Sequence, residues 1–218
     1  MQIAIDGPAG AGKSTIAKKI AHDLGFIYID SGALYRAVAL LALQEDQPPE
    51  EGPGLAVFLD QLSLDLTTNQ AGYQQVWANG RDVTEAIRDN AVSQRVSAYS
   101  ALPSVRQLVT DRIQHLAAQA DVVMDGRDIG TVVLPEADLK IFLTASVEER
   151  ARRRMDQLAS QGDQVAFETI AQEIADRDEK DRQRSVAPLV QAADAVYLDS
   201  SHMGIEDVSE YILGLIRK

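Results

Sequence analysis

Lys13 and Ser14 stand side by side at the close of the run Gly7-Pro8-Ala9-Gly10-Ala11-Gly12, and residues of these types at this spacing can do phosphate chemistry. The pattern is G-x-x-x-x-G-K-[ST]. Its glycines let backbone N–H groups converge on an anion, its lysine reaches the β- and γ-phosphates, and its hydroxyl ligates Mg²⁺. Gly7 through Thr15 are therefore expected to hold a nucleoside triphosphate.

A second set of chemically suggestive residues is basic. Seven arginines fall between positions 150 and 184: Arg150, Arg152, Arg153, Arg154, Arg177, Arg182 and Arg184. Some have intrahelical partners in Glu148, Glu149, Asp176, Asp178, Glu179 and Asp181, which would make them a solvated face. Taken together they suit a lid over phosphates, because guanidinium groups stabilise the charge spread over a transferring phosphoryl group. Arg36 and Arg127 each follow a short apolar run and a glycine. Asp125 ends the run Val122-Val123-Met124, the context of a carboxylate that holds Mg²⁺ directly or through water.

The elements that must position these groups alternate. Strands are expected at 3–5, 26–29, 122–124, 139–143 and 195–198, and helices at 14–24, 32–43, 103–119, 147–160, 167–184 and 205–217. Such alternation predicts an α/β fold, a five-stranded parallel sheet flanked by helices, with ligands at the carboxyl ends of the strands. Asp6, Asp30, Asp125 and Asp199 stand at those ends. Two segments interrupt the pattern. After a Pro- and Gly-rich loop at 44–54 and a short helix, strands at 63–66 and 73–77 with a turn at 67–72, and a further turn at Asn79-Gly80, predict a small antiparallel insert. The polar helical stretch at 150–184 carries a hinge-like loop at 160–164. One domain of 218 residues follows: core 1–43, 84–145 and 186–218, insert about 44–83, and arginine-rich lid about 146–185.

Composition narrows the function. A net charge of −12 opposes binding to nucleic-acid polymers and anionic membranes, so neither is expected as a partner. The absence of cysteine removes disulfides, thiolate metal sites and thiol catalysis. His22, His115 and His202 are scattered and read as surface residues. No apolar run is long enough to span a bilayer and the start reads as a strand and turn, so a cytoplasmic protein is expected.

Four motifs together give the chain a resemblance to the nucleoside monophosphate kinases, most closely the bacterial cytidylate kinases. They are Gly7–Thr15, Asp30-Ser31-Gly32-Ala33-Leu34-Tyr35-Arg36, the segment 125–133 (Asp125-Gly126-Arg127-Asp128-Ile129-Gly130-Thr131-Val132-Val133), and Arg177-Asp178-x-x-Asp181-Arg182-x-Arg184-x-x-Ala187-Pro188. The insert matches as well, since this family enlarges its monophosphate-binding region with a small antiparallel sheet. The resemblance implies phosphoryl transfer from ATP to CMP or dCMP with Mg²⁺, in a monomer acting on small-molecule substrates. It implies that Ser31, Arg36 and Arg127 hold the CMP phosphate, and that Ser97, Arg106 and Asp128 read the cytosine. Asp181, Tyr35 and Arg177 would lie near the ribose and Arg184 near the base. Lys13, Arg36, Arg127, Arg150 and Arg154 would neutralise charge during transfer. Ser14 departs from members that carry Gly after the loop lysine.

Chemistry alone adds a rationale for Asp128. Cytosine presents an amino donor where uracil presents a carbonyl acceptor, and an ionised carboxylate only accepts. Another acceptor, such as AMP, UMP or a sugar-like metabolite, remains the nearest alternative. A nucleotide switch fits poorly, because none of Asn69, Asn79 or Asn90 is followed by the lysine of a guanine-reading Asn-Lys-x-Asp.

Overall fold

The computed structural model describes residues 1–69, 74–160 and 165–217. In chain order its elements begin with β1 (Gln2–Asp6), α1 (Lys13–Leu24), β2 (Ile27–Asp30), α2 (Ser31–Gln44) and α3 (Pro53–Asp60). They continue with β3 (Leu64–Thr68), β4 (Gln74–Ala78), β5 (Arg81–Asp82), α4 (Asn90–Ser100), α5 (Pro103–Ala117) and β6 (Val122–Gly126). The last are β7 (Leu139–Thr144), α6 (Val147–Ser160), α7 (Phe167–Arg182), β8 (Val196–Asp199) and α8 (Ile205–Ile216). A 3-10 turn at Ala86–Arg88 and a π-helical turn at Ile129–Val133 complete the path.

The main sheet is five-stranded and parallel, in the order β2-β6-β1-β7-β8. The middles of its central strands are apolar, as a sheet covered on both faces requires: Ile3, Ala4, Ile5, Val123, Met124 and Leu143 are completely buried. Asp6, Asp30 and Asp199 end their strands and Asp125 is the penultimate residue of β6, as the sequence predicts.

The chain divides into two compact units, residues 1–26 with 122–218 and residues 27–121. In the first, α1 packs Ile16, Ala17 and Ile20 inward, and α8 buries Val208 and Ile212. Helices α6 and α7 meet over a small apolar cluster of their own, Ala151, Ile170 and Ile174, flanked by Val147, Met155, Leu158 and Phe167. In the second, α2 is almost wholly buried and α5 turns Val105, Val109 and Ile113 inward at helical spacing. The antiparallel insert is a three-stranded sheet, β3-β4-β5. Its second turn is Asn79-Gly80, with φ of 50° and 73° at the two residues, as a two-residue hairpin loop demands.

Three features were not anticipated. Helix α4 spans a region whose apolar positions Val92, Val96 and Tyr99 do keep helical spacing, and the Asp89 carboxylate caps it by accepting from the Ala91 N–H at 2.8 Å. Strand β5 has only two residues, and a π-helical turn follows Asp128. Residues 70–73 of the expected hairpin turn and strand, and 161–164 of the expected hinge loop, lie outside the described residues.

Candidate active site

Within the first unit the loop at 7–12 is shaped by its glycines. A Cβ on Gly7 would stand 1.9 Å from the Leu143 carbonyl oxygen, so only glycine lets the loop leave β1 against β7. Gly12 caps α1 in the left-handed region at φ 89°, which turns the first N–H groups of the helix outward beside the loop. The positive end of the helix dipole falls at the same place. Lys13 is buried, and its Nζ donates to the Pro8 carbonyl across the loop at 2.7 Å. Burial first, and then the positive charge of Arg127, push its pKa down to about 7. Burial and Arg127 outweigh the nearby carboxylates of Asp125 and Asp6, so an added phosphate anion would favour the charged form of this lysine.

The Ser14 hydroxyl donates to Asp125 Oδ2 at 2.8 Å. Hydroxyl and carboxylate oxygens beside a triphosphate loop fit a hard divalent cation such as Mg²⁺, which takes few protein ligands and completes its shell with phosphate and water. No cluster of three or more His, Asp or Glu side chains among the described residues offers a denser site.

The turn after β6 carries Arg127 and Asp128. Arg127 Nε donates to Asp181 Oδ2 at 2.8 Å, and Arg184 donates to the other oxygen of the same carboxylate. Asp181 is 3% exposed, so one buried carboxylate of α7 holds two guanidinium groups. Arg177, one helical turn before Asp181, has its cationic form disfavoured by desolvation and by Arg127. Asp128 is itself buried. Behind the turn, both oxygens of Asp6 accept backbone N–H groups, from Ile129 at 2.8 Å and Gly130 at 2.7 Å.

The arginines of α6 divide sharply. Arg150 is 3% exposed and every guanidinium nitrogen has a protein partner: Nε donates to the Ala145 carbonyl, Nη1 to the Ala9 carbonyl of the loop, and Nη2 to Asp178 at 2.6 Å. Arg153 reaches the same loop more loosely, toward the Ala11 carbonyl at 3.5 Å, while donating to the Ser200 carbonyl at 2.7 Å. Arg154 is exposed and bonds only to Gln157 among the contacts described.

The second unit holds the remaining expected residues. Asp30 caps α2 by accepting from the Ala33 N–H at 3.2 Å and also binds Arg36 at 2.9 Å, which aims that guanidinium back toward the strand end. A Cβ on Gly32 would sit 3.1 Å from Asp30 and 3.2 Å from Arg36, so the glycine leaves room for this pair. Ser31 is buried in the first turn of α2. The Arg106 guanidinium lies over the Tyr35 ring, 5.6 Å from its centre, and donates to the Ser100 carbonyl. Ser97 lies on α4, exposed, with its carbonyl accepting from Ser100.

Thus the first unit gathers Lys13, Ser14, Asp125, Arg127, Arg177, Asp181 and Arg184 around the loop and the turn after β6. The second unit joins Tyr35 to Arg106 and Arg36 to Asp30. Sequence reasoning passed over the anchoring roles of Asp6, Asp178 and Arg153. A signal existed for Arg153, which lies one helical turn after Arg150. None existed for Asp6 and Asp178, whose partners are 123 and 28 residues away.

The cytidylate kinase family model matches residues 3–218. A cytidylate kinase of Streptococcus pneumoniae strain 70585 is 50% identical over 212 residues, covering 97% of this chain and 95% of that protein. The cytidylate kinase of S. pneumoniae serotype 2 strain D39 is equally similar over the same span. Among solved structures, an uncharacterised protein from Eubacterium ventriosum ATCC 27560 shares the fold, with a TM-score of 0.54 at 12% identity over 100% of this chain and 98% of that one. A phosphate loop at the head of a parallel sheet, with a family match running nearly end to end, makes this chain a nucleoside monophosphate kinase belonging to the cytidylate kinase family.

Proposed function

We propose that the chain transfers the γ-phosphoryl group of ATP to CMP and dCMP, giving ADP with CDP or dCDP, as a cytoplasmic enzyme of pyrimidine nucleotide metabolism working as a monomer. The observation that carries this reading is the buried Lys13, its charged form disfavoured by desolvation, in a phosphate loop within the same unit as the guanidinium pair on Asp181. The attacking CMP phosphate oxygen is already anionic at neutral pH, so catalysis consists of positioning and charge neutralisation and needs no general base.

In this reading the N–H groups of 7–15 and Lys13 take the triphosphate, and Ser14 and Asp125 hold Mg²⁺. That ion, when bound, would neutralise phosphate charge. Ser31, Arg36 and Arg127 receive the CMP phosphate, and Asp181, Tyr35 and Arg177 border the ribose, with Arg184 near the base. Ser97, Arg106 and Asp128 read cytosine, Asp128 by accepting from its amino group. Arg106 is supported by its stack on Tyr35, which fixes a long side chain before ligand arrives. Arg154, exposed on α6, is the lid arginine available to meet phosphate. Arg150 acts instead by holding the loop, since its three nitrogens are engaged. The insert at about 44–83 serves the monophosphate side and 146–185 the lid.

The test is to incubate the protein with Mg·ATP and each of CMP, dCMP, UMP, AMP and small hydroxylated metabolites, following ADP release. CMP and dCMP are expected to be turned over with the highest kcat/KM. ADP release with none of the 5′-monophosphates would overturn the proposal.

A further inference from the structure

The carboxylate at the end of β1 has no place in the chemistry above, yet it is 4% exposed and fully engaged. Asp6 Oδ1 accepts from the Ile129 N–H and Oδ2 from the Gly130 N–H, at 2.8 and 2.7 Å. These two N–H groups open the π-helical turn directly after Arg127 and Asp128. A π-helical start leaves such groups without helical partners, and a buried N–H without an acceptor is costly. Two oxygens on one planar carboxylate fix two successive amides at once, and so fix the rotation of the turn as well as its position.

The surroundings fit an anchor rather than a packing accident. A Cβ on Gly130 would stand 3.3 Å from Asp6 Oδ2 and 3.1 Å from the Lys140 side chain, so the backbone is drawn in against the carboxylate as closely as glycine permits. Lys140 is held on its other side by Asp194 at 2.7 Å and by the Pro135 carbonyl. Burial raises the Asp6 pKa to about 6, partly offset by the two N–H donors, and the negative charge of Asp128 adds to the rise. A carboxylate kept in a place that disfavours its charge is there for the bonds it makes.

We propose that Asp6 is a positioning residue for substrate selection: by gripping the Ile129 and Gly130 amides it sets where Arg127 and Asp128 stand, and so how CMP is held. This rests on the reading of Arg127 and Asp128 as CMP ligands. Asp6 also leads into the phosphate loop, and kinetics separates a positioning defect on the CMP side from a defect in ATP binding. Asp6→Asn keeps one acceptor and turns an amino group against the other N–H. It is expected to raise KM for CMP about tenfold, the scale of one lost charge-assisted bond to a buried donor. KM for ATP should stay within about threefold, and the preference for CMP over UMP should fall.

Gly130→Ala presses on the same contact from the turn side and is expected to reproduce that pattern, which keeps the proposal testable if Asp6→Asn does not fold. A folded Asp6→Asn or Gly130→Ala protein in which both KM values rise together, or in which only kcat falls, would overturn it. Asp128→Asn, measured alongside, separates the layers. If that variant leaves the CMP to UMP ratio unchanged, base reading by Asp128 fails. If it shifts the ratio while the Asp6 and Gly130 variants leave KM for CMP alone, the positioning role of Asp6 fails by itself.

Discussion

The phosphate loop at 7–15 and the proposed monophosphate-binding set differ in the groups they use. The loop uses backbone amides, and its shape follows from glycines at fixed spacing, so its parts lie within nine consecutive positions. The proposed monophosphate-binding set uses side chains from α2, α4, α5 and the turn after β6, and its arginines are each aimed by a neighbour: Arg106 by Tyr35 and Ser100, Arg36 by Asp30, Arg127 by Asp181. Backbone recognition tolerates little change in spacing and is indifferent to the acceptor. Side-chain recognition can be retuned one residue at a time, so damage to it should alter which monophosphate is used rather than whether ATP is.

The largest effect should break the loop side. Lys13→Met is expected to lower kcat by on the order of a thousandfold or more with every acceptor, while circular dichroism and Tm show a folded protein. Full kcat in that variant would remove the lysine from the chemistry. Next comes the support of the loop. Arg150→Met leaves Asp178 buried without its cation, and a half-broken buried pair costs about 3–5 kcal/mol, read as a fall in the midpoint of urea unfolding. An unchanged midpoint would mean that the pair contributes nothing net.

The reading side should respond more gently. Asp128→Asn is expected to narrow the CMP to UMP ratio of kcat/KM by about tenfold, because an amide can donate to the uracil carbonyl. An effect of pH then distinguishes the two regions again. Lys13 in the free protein loses its proton through about pH 7, and a bound triphosphate favours the protonated form. ATP affinity should therefore weaken as pH rises above about 7, approaching about tenfold per unit, while CMP affinity changes less. Calorimetry in buffers of different ionisation enthalpy should register proton uptake on ATP binding. The smallest effect is reserved for Ser97→Ala. Its exposure on α4 limits the expected rise in KM for CMP to about threefold.

How much of this could be read from residues alone follows the same division. The sheet, its six expected helices and the loop were legible because apolar periodicity and glycine spacing are local properties. Helix α4 escaped notice because its stripe is only three residues deep, Val92, Val96 and Tyr99, within an otherwise polar stretch. The distinction between Arg150 and Arg154 was invisible for a different reason. The two stand four apart on one helix, with identical charge, yet one is sealed against Ala9 and Asp178 and the other is open to water. The packing of α6 against α7 and the phosphate loop decides that, and no window of sequence contains it.

If Arg127 meets the CMP phosphate as proposed, Asp181 is the internal anion that its guanidinium would trade away. With Arg127 and Arg184 already leaning on a fixed carboxylate, the two cations are neither loose nor hungry for any passing oxyanion. On that reading an incoming phosphate would have to displace an internal partner, and a solitary inorganic phosphate has no sugar or base with which to offset that exchange. The same carboxylate that restrains the two guanidinium groups would then set a threshold for entry and give them a resting place between turnovers.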